Sequence, residues 1–342
     1  MHQADKAVLR LTSGLALSVF IAYGLALSMP FMVCVLAIII IMKPGPAIPF
    51  IKGLVISFVF ASLLTTGVLM IPILENYAFS GVLLTSIALY AIFFWGMRSG
   101  NPLTIILVIA ITLIPVIGVA EQALVSPIIT AIAVGIAIGV LVNGFSHAFF
   151  PDDPKTDKVS KAPPAISYEI ANWIALRAAI VVMPAFLLAL INPSVFVATI
   201  MKTVALAQQA GSINARNAGQ ELVGSTLMGA LLSALVWSGL SLWPTLWMLV
   251  LWLAAAAMWA GQRLYGIKAS KYPASYWSNA LITLLILVGP AIEDSATGKD
   301  VTKASFIRIV LFIAVALYAW ATVWALERWR TSRKATLFYN NA

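Results

Sequence analysis

Residues 102–120 read PLTIILVIAITLIPVIGVA, a run of nineteen residues without a charged side chain. A helix needs about 20 mostly apolar residues to cross the hydrocarbon core of a bilayer, and this run reaches that length. Similar apolar runs recur from Ala7 to Trp329. The sequence therefore predicts a chain that crosses a membrane many times.

The composition also indicates a membrane protein. Of the 342 residues, 62% are hydrophobic and 10% are charged, with a mean hydropathy of +1.00, whereas about a quarter of the residues of a soluble domain are charged. We expect an all-α, polytopic transmembrane bundle of about twelve helices and no large soluble domain. The predicted spans lie near residues 8–28, 30–42, 52–72, 79–97, 102–120, 122–145, 168–190, 193–209, 219–239, 243–261, 275–291 and 304–327.

The two halves of the chain resemble each other. Leu9-Arg10 opens the first span and Leu176-Arg177 lies in the seventh, and each is followed by a proline, Pro30 or Pro193, before the next apolar helix. Because six spans are an even number, both halves should have the same orientation, related by an axis along the membrane normal. The predicted division is a first six-helix repeat at 1–149, a cytoplasmic linker at 150–167, a second repeat at 168–330 and a cytoplasmic tail at 331–342.

The basic residues predict the orientation of the chain. If the N-terminus is cytoplasmic, most Lys and Arg residues fall in cytoplasmic segments, and only Lys299, Lys303 and Arg308 fall outside. This asymmetry is the usual pattern for short loops of membrane proteins. Both termini are therefore predicted in the cytoplasm, and the net charge of +9 reflects orientation rather than binding of nucleic acid.

Few residues are suited to metal binding or catalysis. His2 and His147 are the only histidines, and Cys34 is the only cysteine. These residues cannot build the histidine and cysteine ligand sets of zinc sites, and the spans contain no catalytic constellation. We expect no cofactor, and an intramembrane enzyme acting on lipid-linked substrates is the least favoured class.

A motif in the second half resembles a known family. Two opening helices and a polar, glycine-bearing loop, QQAGSINARNAGQELVG at 208–224, precede a helix that starts GSTLMGA at 224–230. The corresponding loop of the first half is KPGPAIPFIKG at 43–53. This order is similar to the fusaric acid resistance or aromatic acid exporter family, whose third helix begins with an arginine and a glycine-threonine signature. Here Arg216 stands several residues earlier and Ser225 takes the threonine position.

The resemblance implies a function and a setting. It implies proton-driven efflux of aromatic carboxylic acids or related amphipathic compounds across the bacterial inner membrane. It also implies a periplasmic adaptor of the membrane-fusion type, and a homo-oligomer is a further possibility. Larger members carry a cytoplasmic domain between their halves, whereas this chain has only the short linker, as expected for a compact branch.

Two basic side chains lie inside predicted spans. Arg177 is about two turns into the seventh span, and Lys202 is within the eighth. A charge at the middle of a spanning helix costs roughly 2.5–3.5 kcal/mol on insertion scales, so each side chain needs a reason. Either it extends along its helix to the cytoplasmic surface, or it attracts the carboxylate of a substrate.

The segment from Gln208 to Glu221 crowds amide and charged side chains between two apolar spans. The free N–H groups of a helix N-terminus and the planar guanidinium of Arg216 can together hold a carboxylate. The alternative is an ordinary cytoplasmic loop with a helix cap. The predicted substrate contacts of this segment are Gln208, Asn214, Arg216 and Asn217.

Glu221 is the predicted proton-coupling residue. It lies near the start of the ninth span, beside a possible basic partner, and partial burial would favour its protonated form. The alternative is a carboxylate that stabilises the helix dipole. Gly224, Gly229 and Ser233, further along this span, are predicted to let helices approach closely, as small residues do in bilayers.

The leading hypothesis is an inner-membrane efflux transporter with a polar cavity between two bundles. It would bind a small amphipathic acid and contact membrane lipid. A non-transporting assembly or scaffold subunit is the alternative, but such a protein needs no intramembrane polar residues. Arg177, Lys202 and the segment from Gln208 to Glu221 argue for the transporter.

Overall fold

The computed structural model describes residues 2–42, 45, 49–99, 104–151, 167–212 and 215–340. Within these residues the secondary structure is helical throughout, with twelve helices and no strand. This confirms the predicted all-α class and the number of helices. The helices are α1 (Gln3–Gly24), α2 (Pro30–Met42), α3 (Phe50–Asn76, with a 3-10 segment at Thr66–Met70), α4 (Ala78–Ser99), α5 (Thr104–Ala120), α6 (Val125–Phe149), α7 (Tyr168–Ile191), α8 (Pro193–Ser212), α9 (Ala215–Leu242), α10 (Leu246–Leu264), α11 (Ala274–Ala296) and α12 (Val301–Asn340).

Among the helix ends that differ from the sequence prediction, two have a clear physical cause. The first helix begins at Gln3 because His2 and Asp5 form a capping box, in which the His2 side chain accepts from the Ala4 N–H and Asp5 accepts from the His2 N–H. The last helix continues to Asn340, since residues 331–340 contain neither glycine nor proline. The predicted tail at 331–342 is therefore mostly a continuation of α12.

Eight helices are long and apolar enough to cross a membrane: α1, α3, α4, α6, α7, α9, α11 and α12. Shorter apolar helices lie at Pro30–Met42, Leu107–Ala120 and Phe196–Ala207. The outer surface of α3 and α4 is apolar, and Ile51, Phe58 and Phe79 are each more than 70% exposed. Such a surface matches lipid rather than water, and these features are those of a multi-pass membrane protein.

The short helix α2 lies inside the bundle. Thirteen residues rise about 20 Å, less than the roughly 30 Å of hydrocarbon, so its ends need protein around them to satisfy the backbone. Nine of its residues are buried, and it packs against α1, α6 and α11. A helix too short to cross the bilayer alone is thus surrounded by protein, as its backbone ends require.

The helices pack within each half and between the halves. Between the halves, α1 packs on α10, α2 on α11, α4 on α7, α5 on α7 and α5 on α8. The packed pairs in the first half are α1–α2, α1–α6, α2–α6, α3–α4, α3–α5, α3–α6, α4–α5 and α5–α6. Those in the second half are α7–α8, α7–α12, α8–α12, α9–α10, α9–α11, α9–α12, α10–α11 and α11–α12, together with α8–α9 and α8–α11.

Candidate functional site

Lys202 is fully buried in α8 and points at α11. Its Nζ donates to Asn279 Oδ1 at 3.1 Å and to Thr283 Oγ1 at 2.7 Å. Lysine is almost never fully buried unless its ammonium is paired. Among the described residues, both hydrogen-bond partners found for this ammonium are neutral oxygens. The charge is therefore held by dipoles and not by a carboxylate.

Further hydrogen bonds extend this arrangement to α9. Asn279 Nδ2 donates to Ser225 Oγ at 2.5 Å, and the Ser225 hydroxyl donates to the Glu221 carbonyl. Ser275 Oγ donates to Glu221 Oε2 at 2.9 Å. We define Lys202, Glu221, Ser225, Ser275, Asn279 and Thr283 as the polar cluster. It joins Lys202 of α8 to the main-chain carbonyl of Glu221 in α9 through Asn279 and Ser225, and Ser275 of α11 holds the Glu221 carboxylate.

The donor pattern fixes how the polar cluster is oriented. The Thr283 hydroxyl donates its single hydrogen to the main-chain carbonyl of Asn279 at 2.6 Å. Its oxygen can therefore only accept from Lys202. Lysine has donors only, which requires the amide oxygen of Asn279 to face it and the amide nitrogen to face Ser225. Each of these hydrogen bonds therefore has a defined donor and a defined acceptor.

The sequence places these residues on facing helix surfaces. Ser275, Asn279 and Thr283 are four residues apart in α11, and Glu221 and Ser225 are four apart in α9, so each set lies on one face. A Cβ on Gly229 would lie 2.5 Å from Thr283 Cβ and 2.7 Å from the Ala280 carbonyl oxygen. The predicted close approach at Gly229 is confirmed, because only glycine fits there.

Aromatic side chains lie beside the polar cluster, near the start of α11. Tyr276 donates to the Gly224 carbonyl at 3.0 Å, and the ring of Trp277 lies edge-on to that of Trp259 at 5.3 Å. The Arg263 guanidinium lies 3.9 Å from the centroid of Trp259 and 5.2 Å from that of Trp277. These contacts are cation-π interactions and join the end of α10 to the start of α11.

Arg177 belongs to a different set of contacts. Its Nη1 lies 3.0 Å from Glu327 Oε1 of α12, and Trp173 Nε1 donates to the same oxygen at 2.9 Å. The Arg177 side chain is 4% exposed and that of Glu327 is 31% exposed. The guanidinium is therefore neutralised within the protein, and its structural role is to hold α7 against α12.

A second ion pair lies toward the other end of α12. Arg308 Nη1 is 2.6 Å from Asp294 Oδ2 of α11, and Lys299 Nζ is 4.0 Å from Asp294 Oδ1. Arg308 and Glu327 are nineteen residues apart, so the two ion pairs are separated by about 28 Å along the helix. This is close to the thickness of the hydrocarbon core.

The remaining predicted residues lie outside the described side chains. These residues are Gln208, Asn214, Arg216 and Asn217, in the segment where α8 ends at Ser212 and α9 begins at Ala215. Sequence reasoning missed Ser275, Asn279 and Thr283 as partners of Lys202, and Glu327 as the partner of Arg177. The four-residue spacing of the α11 residues was a usable signal, but it does not identify the lysine 77 positions away.

One cavity, of about 260 Å³, lies in the first half, between the α1–α2 connection, α2 and the start of α6. Eight residues line it, and none is charged: Leu27, Ser28, Val33, Ser126, Pro127, Thr130, Ala131 and Val134. Its volume is just below the usual range for small-molecule sites, about 300–1,000 Å³. This cavity has no positively charged lining residue to bind an anionic ligand. The polar cluster is therefore the better candidate for a binding site.

Within the described part of the chain, no group of three or more His, Cys, Asp or Glu side chains could hold a metal ion. The single cysteine, Cys34, is a buried free thiol. Fold and site together define a multi-pass helical membrane protein with a buried ammonium in its second half.

Comparison with known proteins gives one match. Residues 7–144 match the model of a family described as a protein of unknown function (DUF2955). The match covers α1 to most of α6, about two fifths of the chain, so the chain is similar to that family over its first half. No curated protein and no solved structure matches the chain. The matched family is not the one that the motif at 224–230 resembles.

Proposed function

We propose that this chain is a membrane transporter that exports aromatic carboxylic acids or related amphipathic anions. The observation that carries the proposal is the fully buried ammonium of Lys202, held only by neutral oxygens among the described residues. A buried charge in a membrane protein is costly and commonly marks the path of an ion or substrate. An assembly or scaffold subunit would gain nothing from it.

The packing of the helices supports two six-helix repeats. Each of the eight packed pairs in the first half has a counterpart six helices later, so that α2–α6 corresponds to α8–α12 and α3–α5 to α9–α11. Four of the five contacts between the halves are reciprocal as well, since α1–α10 corresponds to α7–α4 and α2–α11 to α8–α5. Repeats related in this way commonly frame a transport pathway.

The site we propose lies in the second half. The pairs α8–α9 and α8–α11 occur in this half in addition to the eight pairs that have counterparts in the first half. They place Lys202 next to the other residues of the polar cluster. Lys202 attracts the substrate carboxylate, and Gln208, Asn214, Arg216 and Asn217 extend the site where α8 gives way to α9. Arg177 contributes least directly, because Glu327 already neutralises it.

Proton coupling is assigned to Glu221. Its carboxylate is held by Ser275 at 2.9 Å, and the residue is 9% exposed. In this proposal, a conformational change that exposes or covers the carboxyl group is the step at which it takes up or releases a proton. The main-chain carbonyl of Glu221 is joined to Lys202 through Ser225 and Asn279, and we propose that this connection links the proton to the substrate.

We place the protein in the bacterial inner membrane, with both termini in the cytoplasm. The bias of Lys and Arg toward one set of loops supports this orientation. Export beyond the inner membrane would use a periplasmic adaptor of the membrane-fusion type, and homo-oligomers of the chain are compatible with the proposal. The adaptor rests on the resemblance of residues 224–230 to aromatic acid exporters.

The test compares cells with and without the protein for export of several aromatic acids. Lys202→Gln, Arg216→Ala and Glu221→Gln are then expressed at equal levels, with Lys268→Gln as an exposed-lysine control. We expect export by the wild type and by the control, and loss of export by the three site variants. Equal export with and without the protein would contradict the proposed function.

A further inference from the structure

The hydrogen bonds of Lys202 suggest how a ligand is recognised. An ammonium group has three donors, and residues of α11 accept from it twice, through Asn279 Oδ1 and Thr283 Oγ1. Both acceptors are neutral. The bonds from the ammonium to these oxygens are already charge-assisted, and a carboxylate in the same place would add the attraction of a full opposite charge.

Few other charges compete for this ammonium. Among the helices packed on α8, α5 has no ionisable residue in its sequence, and Arg177 of α7 is paired with Glu327 of α12. In α11, Glu293 and Asp294 lie at least fourteen residues beyond Asn279, or about 21 Å along the helix. Glu221 of α9 accepts from Ser275. Lys202 is therefore a buried cation whose contacts found here lack a counter-anion.

We propose that a monovalent carboxylate binds by replacing the oxygens of Asn279 and Thr283 on Lys202 Nζ. The proposal rests on the transport function above and names the group through which the substrate is held. The exchange has a mechanical consequence, because the two hydrogen bonds tie α8 to α11. A bound carboxylate accepts the hydrogen bonds of the Lys202 ammonium in place of Asn279 and Thr283. The helix α8 can then move away from α11, so that binding is linked to the opening of the site.

Asn279→Asp provides the sharpest test, because it places a fixed carboxylate of the same shape against Lys202. The Ser225 hydroxyl can turn to donate to the new carboxylate, so the local packing is preserved. The introduced carboxylate would pair permanently with the Lys202 ammonium and should exclude a carboxylate ligand. Asn143→Asp, at a buried asparagine of α6, is the matched control.

Binding is measured as thermal stabilisation of the purified, full-length protein in detergent, with benzoate as the probe and benzamide as its uncharged analogue. The wild type and Asn143→Asp should be stabilised by benzoate and not by benzamide. Asn279→Asp and Lys202→Gln should weaken the apparent affinity for benzoate by about 10- to 100-fold, the loss expected for a hydrogen bond to a charged group. Lys202→Arg, which keeps the charge, should retain more affinity than Lys202→Gln.

Transport of benzoate in proteoliposomes separates the two proposals. A wild type that moves none of the aromatic acids would overturn the proposed function. A wild type that moves benzoate while Asn279→Asp moves it equally well would overturn the carboxylate exchange and leave the transport function standing. Equal stabilisation by benzoate and benzamide would also overturn the exchange, because recognition would then not depend on charge.

Discussion

At the scale of single residues, Thr283 is more than a packing residue. Its oxygen accepts from Lys202 at 2.7 Å while its hydrogen is given to its own helix. Thr112 of α5 is equally buried, but its hydroxyl donates within its helix, to the Val108 carbonyl. The two residues therefore form a natural pair for substitution.

We predict that Thr283→Val lowers the free energy of unfolding by about 1–3 kcal/mol, the cost of leaving a buried donor without its acceptor. Thr112→Val should cost clearly less, because the hydrogen bond it removes leaves no charged group behind. Thermal or denaturant unfolding of both variants in the same detergent measures the difference. Equal losses would show that Thr283 does not help to hold the ammonium.

A second residue-scale prediction concerns Glu327. Replacing it with glutamine keeps an acceptor for Trp173 but leaves the Arg177 guanidinium, 4% exposed, without its counter-charge. We expect a loss of about 1.5–3 kcal/mol, the range for hydrogen bonds to charged groups. The double exchange Arg177→Glu with Glu327→Arg should recover part of the loss in the same unfolding measurement. No recovery, or no loss in the single variant, would contradict the pairing.

At the scale of helices, the contact between α9 and α11 depends on Gly229. An added Cβ at this position would meet the Ala280 carbonyl oxygen at 2.7 Å, and backbone cannot move aside as a side-chain tip can. Gly144 in α6 has nothing within 4 Å of an added Cβ. We predict that Gly229→Ala lowers the melting temperature and weakens benzoate binding, while Gly144→Ala leaves binding unchanged.

The melting temperature should shift in opposite directions for the two substitutions. Alanine in an open helical position stabilises by about 0.5–1 kcal/mol relative to glycine, so Gly144→Ala should raise the melting temperature slightly. At Gly229 the steric cost should outweigh that gain. If both substitutions shift the melting temperature equally, α9 and α11 are not held as closely as the contacts indicate.

The helices themselves were largely predictable from the sequence. Apolar runs of spanning length, interrupted by prolines such as Pro30 and Pro193, determine where helices begin and end. The helix α6 ends at Phe149 and α7 begins at Tyr168, on either side of the segment predicted as a linker. Most of the linker lies outside the described residues. What local periodicity missed was the capping box at His2 and the continuation of α12.

The site was predictable only in part. Lys202 and Glu221 were identified because a charge in an apolar run needs an explanation. Their partners Ser225, Asn279 and Thr283 are small polar residues that also occur in helices for packing, so only the tertiary contact between α8 and α11 distinguishes them. The same holds for Glu327, 150 positions from Arg177.

At the scale of the whole molecule, the proposed orientation makes a prediction about the central linker and the C-terminal end of the chain. Lys158→Cys and Arg333→Cys should both react with a membrane-impermeant thiol reagent from the cytoplasmic side, and Asp300→Cys should react from the opposite side. Cys34 is 1% exposed, so the wild-type chain should give little background. The measurement uses intact cells and inside-out vesicles.

Labelling of positions 158 and 333 from opposite sides would contradict the proposed topology. The proposed topology has six crossings between these two positions, and an even number of crossings returns the chain to its starting face. Such a result would also remove the argument for two repeats in the same orientation. The polar cluster would remain, since its hydrogen bonds do not depend on the topology.

The two indole rings beside Arg263, those of Trp259 and Trp277, provide a built-in optical reporter. Trp277 lies two residues before Asn279 on the same helix, and its indole touches Trp259 of α10. Indole emission shifts in colour and intensity when a nearby cation or the surrounding polarity changes. Fluorescence of the unlabelled protein should therefore register a displacement of α11 relative to α10 as it happens, which makes rapid-mixing kinetics accessible without attached dyes.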